Sequence, residues 1–109
     1  MIKLKDPSLF RTENYVNGKF SGGSAGHIEV FNPANGALVA KTVDSSAADA
    51  TAAVEAAAVA FKSWSKLTAK ERAAYLRRWY ELILANADDL GALMTAEQGK
   101  PLAEAIGEV

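Results

Sequence analysis

Cysteine is absent from all 109 residues, which removes disulfides, thiolate metal sites and any cysteine nucleophile from this chain. Histidine occurs once, as His27 in a glycine- and serine-rich stretch, too little for a histidine metal cluster or a Ser/His/Asp triad. Neither sign of charge is in real excess: 12 Lys+Arg stand against 13 Asp+Glu, and Lys66, Lys70, Arg72, Arg77 and Arg78 are interleaved with Glu71 and Glu81. Such alternation makes a solvated helix face instead of a phosphate-binding one, so no nucleic-acid partner is expected. No apolar run reaches the roughly 18 residues that would span a bilayer. The opening Met1-Ile-Lys-Leu-Lys-Asp6 lacks the apolar region of a secretory signal, so a cytoplasmic protein with no membrane partner is expected.

What the chain has in quantity is alanine. Its apolar fraction is 50%, but 22 of those residues are Ala, each burying little surface, so a thin core is expected. Composition shifts near Asp44: residues 1–43 read as strands and turns, residues 46–109 as helices. The fold class is α+β within this segment, two N-terminal β-hairpins followed by three to four helices. Glu13 to Val16 and Lys19-Phe20 flank Asn17-Gly18, a pair that tolerates the positive φ of a type I′ turn. After the flexible loop Ser21 to Gly26, Ile28 to Phe31 and Leu38 to Val43 flank a turn at Asn32-Pro33-Ala34-Asn35-Gly36, which predicts a second hairpin. The glycine loop lacks the spacing of a nucleotide-binding motif and leads into a strand, so it reads as a plain turn.

Ser46-Ala-Ala-Asp49 starts a first helix, on which Ala50, Val54, Ala57, Phe61 and Trp64 make one stripe expected to face a core. Thr68-Ala-Lys-Glu71 is a capping box for a second helix, with Ala69, Ala73, Leu76, Tyr80 and Ile83 in register, expected to lie antiparallel to the first. Tyr75, Trp79 and Tyr80 read as core or interface aromatics, not as a ligand-stacking cluster. Asn86 is the expected N-cap of a third helix, with Asp88 and Asp89 near its positive end and Leu90, Leu93 and Met94 on its buried side. Gly99 suits a left-handed C′ position, and Pro101 the first position of a fourth helix whose Leu102, Ala105, Ile106 and Val109 share a face. Nine residues are fewer than the roughly 12 to 15 a solitary helix needs, so this face is expected to want a partner beyond Val109, as in a chain cut from something longer.

Candidate chemistry is sparse. Glu104 and Glu108, one helical turn apart, and Glu97 before them invite a paired-carboxylate reading, but surface carboxylates on a helix are the simpler account. Lys100 invites a Schiff-base reading, but a cation at a helix C-terminus already has an electrostatic reason to be there. No catalytic, cofactor-binding or metal-ligating residue is expected in this chain.

Four words of the sequence occur in the order seen at the start of aldehyde dehydrogenases: Asn32 to Gly36, Ala57 to Trp64, Leu67 to Arg72, and Glu97-Gln-Gly-Lys-Pro-Leu102. The chain resembles that superfamily over nearly its whole length. Leu9-Phe10-Arg11, Leu67 to Arg72 and Met94 to Ala105 look most like its bacterial NADP-dependent succinate-semialdehyde dehydrogenases. The resemblance implies the N-terminal part of the α/β aldehyde dehydrogenase-like fold, a partial NAD(P)-binding domain. It implies a parent, homo-oligomeric enzyme of 4-aminobutyrate degradation that oxidises succinate semialdehyde with NADP. In the family a Cys thiolate attacks the aldehyde, a backbone N–H and an Asn amide hold the oxyanion, hydride passes to the nicotinamide, and a Glu-activated water hydrolyses the thioester. All of those groups, the nucleotide-binding crossovers and the substrate-carboxylate arginines follow the matched region. The resemblance therefore implies an inactive scaffold that binds no NADP itself and whose partner is the remainder of the parent enzyme. In similar enzymes the backbone near Val30 and Phe31 lines a structural monovalent-cation site, whose remaining ligands this chain would lack. A reading of another class is a free-standing interaction module presenting Leu102, Ile106 and Val109 to a partner.

Overall fold

The computed structural model describes residues 2–109. They form strands β1 (Asn14–Val16), β2 (Lys19–Ser21), β3 (Gly26–Phe31) and β4 (Leu38–Asp44), then helices α1 (Ala47–Trp64), α2 (Ala69–Ala85), α3 (Ala87–Gln98) and α4 (Leu102–Glu108). β1 and β2 make one two-stranded sheet, β3 and β4 another. Two hairpins followed by four helices are what the composition shift near Asp44 implies.

The first hairpin is antiparallel, with Asn14 opposite Ser21, Tyr15 opposite Phe20 and Val16 opposite Lys19. Its turn holds Asn17 at φ 52° and Gly18 at φ 75°, the two positive values a type I′ connection demands. Register places the Tyr15 and Phe20 rings 5.0 Å apart, a cross-strand pair. In the second hairpin the turn is fixed by side chains. Asn32 Oδ1 accepts from the Ala34 N–H and Asn35 Oδ1 from the Ala37 N–H, each at 2.9 Å. β3 starts at Gly26, two residues before the expected Ile28, so His27 stands exposed on a strand and not in the loop. A short 3₁₀ turn at Pro7–Leu9 was not anticipated; Asp6 caps it by accepting from the Ser8 N–H at 2.9 Å and the Ser8 hydroxyl at 2.6 Å.

Helix starts follow their caps. At α1 the Ser46 N–H donates to Asp49 Oδ2 at 2.8 Å while the Asp49 N–H donates to Ser46 Oγ at 3.3 Å. At α2 the same exchange joins Thr68 and Glu71, at 2.7 and 3.2 Å. Asn86 takes the expected N-cap position of α3, but its side chain faces the other way. Its amide donates to the Leu82 carbonyl at 2.8 Å, so the side chain closes the end of α2 and makes no cap bond to α3. Gly99 ends α3 at φ 83° with its N–H on the Thr95 carbonyl, as the left-handed reading requires. Pro101 sits one position earlier than expected, as the N-cap of α4 at φ −54° and ψ 138°, where its carbonyl accepts from Ala105.

The chain divides into two units, and α2 and the second hairpin contribute residues to both. The first comprises Met1–Thr12, Glu29–Lys41 and Trp79–Val109. Its centre is the packing of α3 on α4, where Ala105 is fully buried and Gly91 leaves room for Ile106. A Cβ on Gly91 would lie 2.6 Å from Ile106 Cγ1 and 3.2 Å from its backbone nitrogen, so only glycine permits this approach. The expectation that α4 has nothing to lie against is therefore corrected: Ala105 and Ile106 dock on α3, and Leu102 is the member of that face that stays open, at 49% exposure.

The second unit comprises Glu13–Ile28 and Thr42–Arg78. Here the stripe expected to face a core is open, with Val54 67% and Phe61 62% exposed. α1 and α2 meet at their joined ends, where the Trp64 and Tyr75 rings stand 5.7 Å apart. Helical periodicity reports that a face is apolar; it does not report what covers it.

Candidate functional site

Three polar clusters and two largely apolar pockets are candidate places for chemistry or binding, one of the pockets lying in the first unit between Ile2, Lys3, Leu4, Pro7, Phe10 and Val39. The first cluster lies at the start of α1. Asp49 Oδ2 accepts from the Ser24 N–H at 2.8 Å, the Ser24 hydroxyl at 2.7 Å and the Ser46 N–H at 2.8 Å. The Ser24 hydroxyl and backbone, followed by the Ser46 backbone, hold the Asp49 carboxyl down to about 2. A carboxylate so depressed and so fully engaged is a poor general base near neutral pH, and its role is to tie the glycine loop to the helix.

The second cluster joins the N-terminal strand-like segment to α3. Asp89, 5% exposed, accepts from the Lys5 N–H at 2.9 Å through one oxygen and from the Asp6 N–H at 2.8 Å through the other. Beside it the Lys5 ammonium meets Asp88 at 2.7 Å. This hydrogen bond and the attraction it carries push the Lys5 amine up and the Asp88 carboxyl down. Asp88 and Asp89 were expected only to complement a helix dipole; the structure gives Asp89 a further duty, and nothing local in the sequence signals an 84-residue contact. In the third cluster Lys100 donates to Glu108, so Glu108 is paired with a lysine and not with Glu104, and Lys100 reaches α4 instead of simply ending α3. None of these clusters offers an unengaged nucleophile or base beside a pocket.

The described residues contain no group of three or more His, Cys, Asp or Glu placed to hold a metal ion. Val30 and Phe31 lie at the end of β3, and two backbone carbonyls alone fall short of a cation's oxygen shell. A nucleotide phosphate does not fit the glycine loop either. A Cβ on Gly23 would fall 1.8 Å from the Asp44 carbonyl oxygen, so this backbone is closed against β4, and the Asp49 carboxylate beneath Ser24 would repel an anion. The N-termini of α1 and α2 are likewise taken up by their own Ser46–Asp49 and Thr68–Glu71 boxes.

What remains is apolar. Ala57, Ala60, Phe61, Ser63, Trp64, Leu67 and Tyr75 line an open groove of about 570 Å³ at the α1–α2 corner. Its lining is mainly apolar, a surface suited to packing.

Residues 20–109 match the Aldehyde dehydrogenase family. The chain belongs to the aldehyde dehydrogenase family. The glutarate-semialdehyde dehydrogenase of Pseudomonas putida is 50% identical over 109 residues, covering 99% of this chain. The NADP(+) succinate-semialdehyde dehydrogenase of Escherichia coli is 47% identical over the same length. The crystal structure of the aldehyde dehydrogenase from Brucella melitensis biovar abortus superposes with a TM-score of 0.96 at 48% identity, over 99% of this chain. The chain spans 23% of the length of each of these relatives. Within the aldehyde dehydrogenase fold, the hairpins and four helices correspond to its N-terminal part.

Proposed function

We propose that this chain is the N-terminal scaffold of an NADP-dependent aldehyde dehydrogenase whose substrate is a short aldehyde ending in a carboxylate, succinate semialdehyde. The reading rests on identity of 47% to the Escherichia coli enzyme across essentially the whole chain, together with a composition that has no cysteine to attack an aldehyde. NADP, when bound by the parent, accepts hydride from the aldehyde carbon. The 109 residues contribute part of the nucleotide-binding domain's outer structure and no catalytic, cofactor-binding or metal-binding side chain. Their partner is the rest of the parent, a cytoplasmic homo-oligomer active in the breakdown of 4-aminobutyrate. The glutarate relative makes the substrate one methylene longer the natural competitor, a difference worth roughly 10- to 200-fold in specificity.

The reading frame of the gene past Val109 tests this directly. Several hundred further codons that include a cysteine support it. A stop codon directly after Val109 overturns it and favours a free-standing interaction module. Titration calorimetry of the 109-residue chain with NADP is expected to give no binding heat; a stoichiometric heat contradicts the scaffold role.

A further inference from the structure

Two asparagines in the chain, Asn17 and Asn35, stand immediately before a glycine, whereas Asn14, Asn32 and Asn86 precede Tyr15, Pro33 and Ala87. The difference is chemical. An asparagine side-chain amide lies within reach of the next residue's backbone nitrogen, glycine leaves that nitrogen unshielded by a Cβ, and proline has no N–H to give up. Asparagine is accordingly among the thermally labile side chains.

Both Asn-Gly pairs are exposed in hairpin turns, but the structure holds them differently. In the second hairpin the Gly36 N–H donates to the Asn32 carbonyl at 2.7 Å, and Asn35 Oδ1 accepts from the Ala37 N–H at 2.9 Å. The nitrogen that would attack and the amide it would attack are each fixed by a bond of the turn. In the first hairpin Val16 faces Lys19 across the two turn residues, and among the described residues neither the Gly18 N–H nor the Asn17 side chain makes a hydrogen bond.

We propose that Asn17 is a site of spontaneous deamidation, and that the turn from Asn32 to Ala37 protects Asn35 from the same reaction. The Gly18 nitrogen gives up its proton and attacks the Asn17 side-chain carbonyl carbon. A C–N bond forms, the bond to the amide nitrogen breaks, and ammonia leaves with the proton. Water then opens the cyclic imide at either carbonyl, to aspartate or to isoaspartate, so that one water enters for each ammonia lost. Both products add a carboxylate two residues from Lys19. Isoaspartate also carries the main chain through an extra methylene, which no longer fits the two-residue, positive-φ turn that sets Tyr15 opposite Phe20.

The test ages the purified chain in mildly alkaline buffer and follows tryptic peptides 12–19 and 20–41 by mass spectrometry, with fragmentation to locate the altered residue. Deamidation at Asn17 is expected to run roughly tenfold or more faster than at Asn35, the scale set by one amide hydrogen bond. In concentrated urea the two rates are expected to converge. Asn17→Gly keeps a turn-compatible Gly-Gly pair and is expected to abolish most of the acidic species that appear on isoelectric focusing. Equal rates in the native chain overturn the proposal, as does a faster Asn35 or an Asn17 that stays intact. So does a contrast that persists in urea, which would trace it to neighbouring sequence and not to the fold, and so does an undiminished acidic species in Asn17→Gly.

Discussion

Asp89 holds two backbone N–H groups at once, one on each carboxylate oxygen, and it is buried while doing so. An asparagine there keeps one acceptor and turns an amide donor toward the second N–H, leaving a buried donor unsatisfied. Asp89→Asn is therefore expected to destabilise the chain by about 1–3 kcal/mol, read as a lower urea midpoint. An unchanged midpoint would show that the N-terminal segment does not depend on this clamp. Asp49 makes a prediction in pH. Its carboxyl lies at about 2 in the folded chain against an ordinary 3.8, so its stabilisation is present above about pH 4 and is lost as pH falls toward 2. The difference in melting temperature between the chain and Asp49→Asn is expected to narrow across that window. A gap independent of pH would mean that the Ser24 and Ser46 bonds are not what lowers this carboxyl. Neither residue's full role was legible in the sequence. Asp49 was visible as a capping residue, but its tie to Ser24 spans 25 positions, and Asp89 reaches across 84 to Lys5. Gly91 was missed for the same reason, since the need for its missing Cβ is set by Ile106 on another helix.

Elements were more readable than residues because their signals are local. Both capping boxes, the Asn17-Gly18 turn and the left-handed Gly99 form where short-range hydrogen bonding and backbone sterics demand. Thr68→Ala removes the hydroxyl that accepts the Glu71 N–H and the cap it completes. The expected cost is about 0.5–2 kcal/mol, with faster amide exchange confined to the first turn of α2. Exchange unchanged in that turn would show that the box is incidental. Asn86 holds the N-cap position of α3 as expected, but its side chain had two helix ends within reach and closed the earlier one. An amphipathic pattern specifies an apolar face and not what covers it, so the exposure of Val54 and Phe61 on α1 was not legible in the sequence.

At the scale of the whole molecule, family membership was legible in four ordered words of sequence, and the match over residues 20–109 bears it out. Of the candidate site the sequence offered little: it has no cysteine and one histidine, and the bonds of Asp89 to the Lys5 and Asp6 backbone and of Lys100 to Glu108 were not visible in it. What composition did not foretell was how much apolar surface the chain leaves uncovered, because area depends on which faces meet and not on how many exist. No helix among the described residues is long and apolar enough to cross a membrane. The absence of cysteine accords with the scaffold role proposed above. The most direct check is an assay of the purified 109-residue chain for NADPH formation from succinate semialdehyde and NADP. The expected result is no rate above the protein-free blank; sustained turnover proportional to chain concentration would contradict the account.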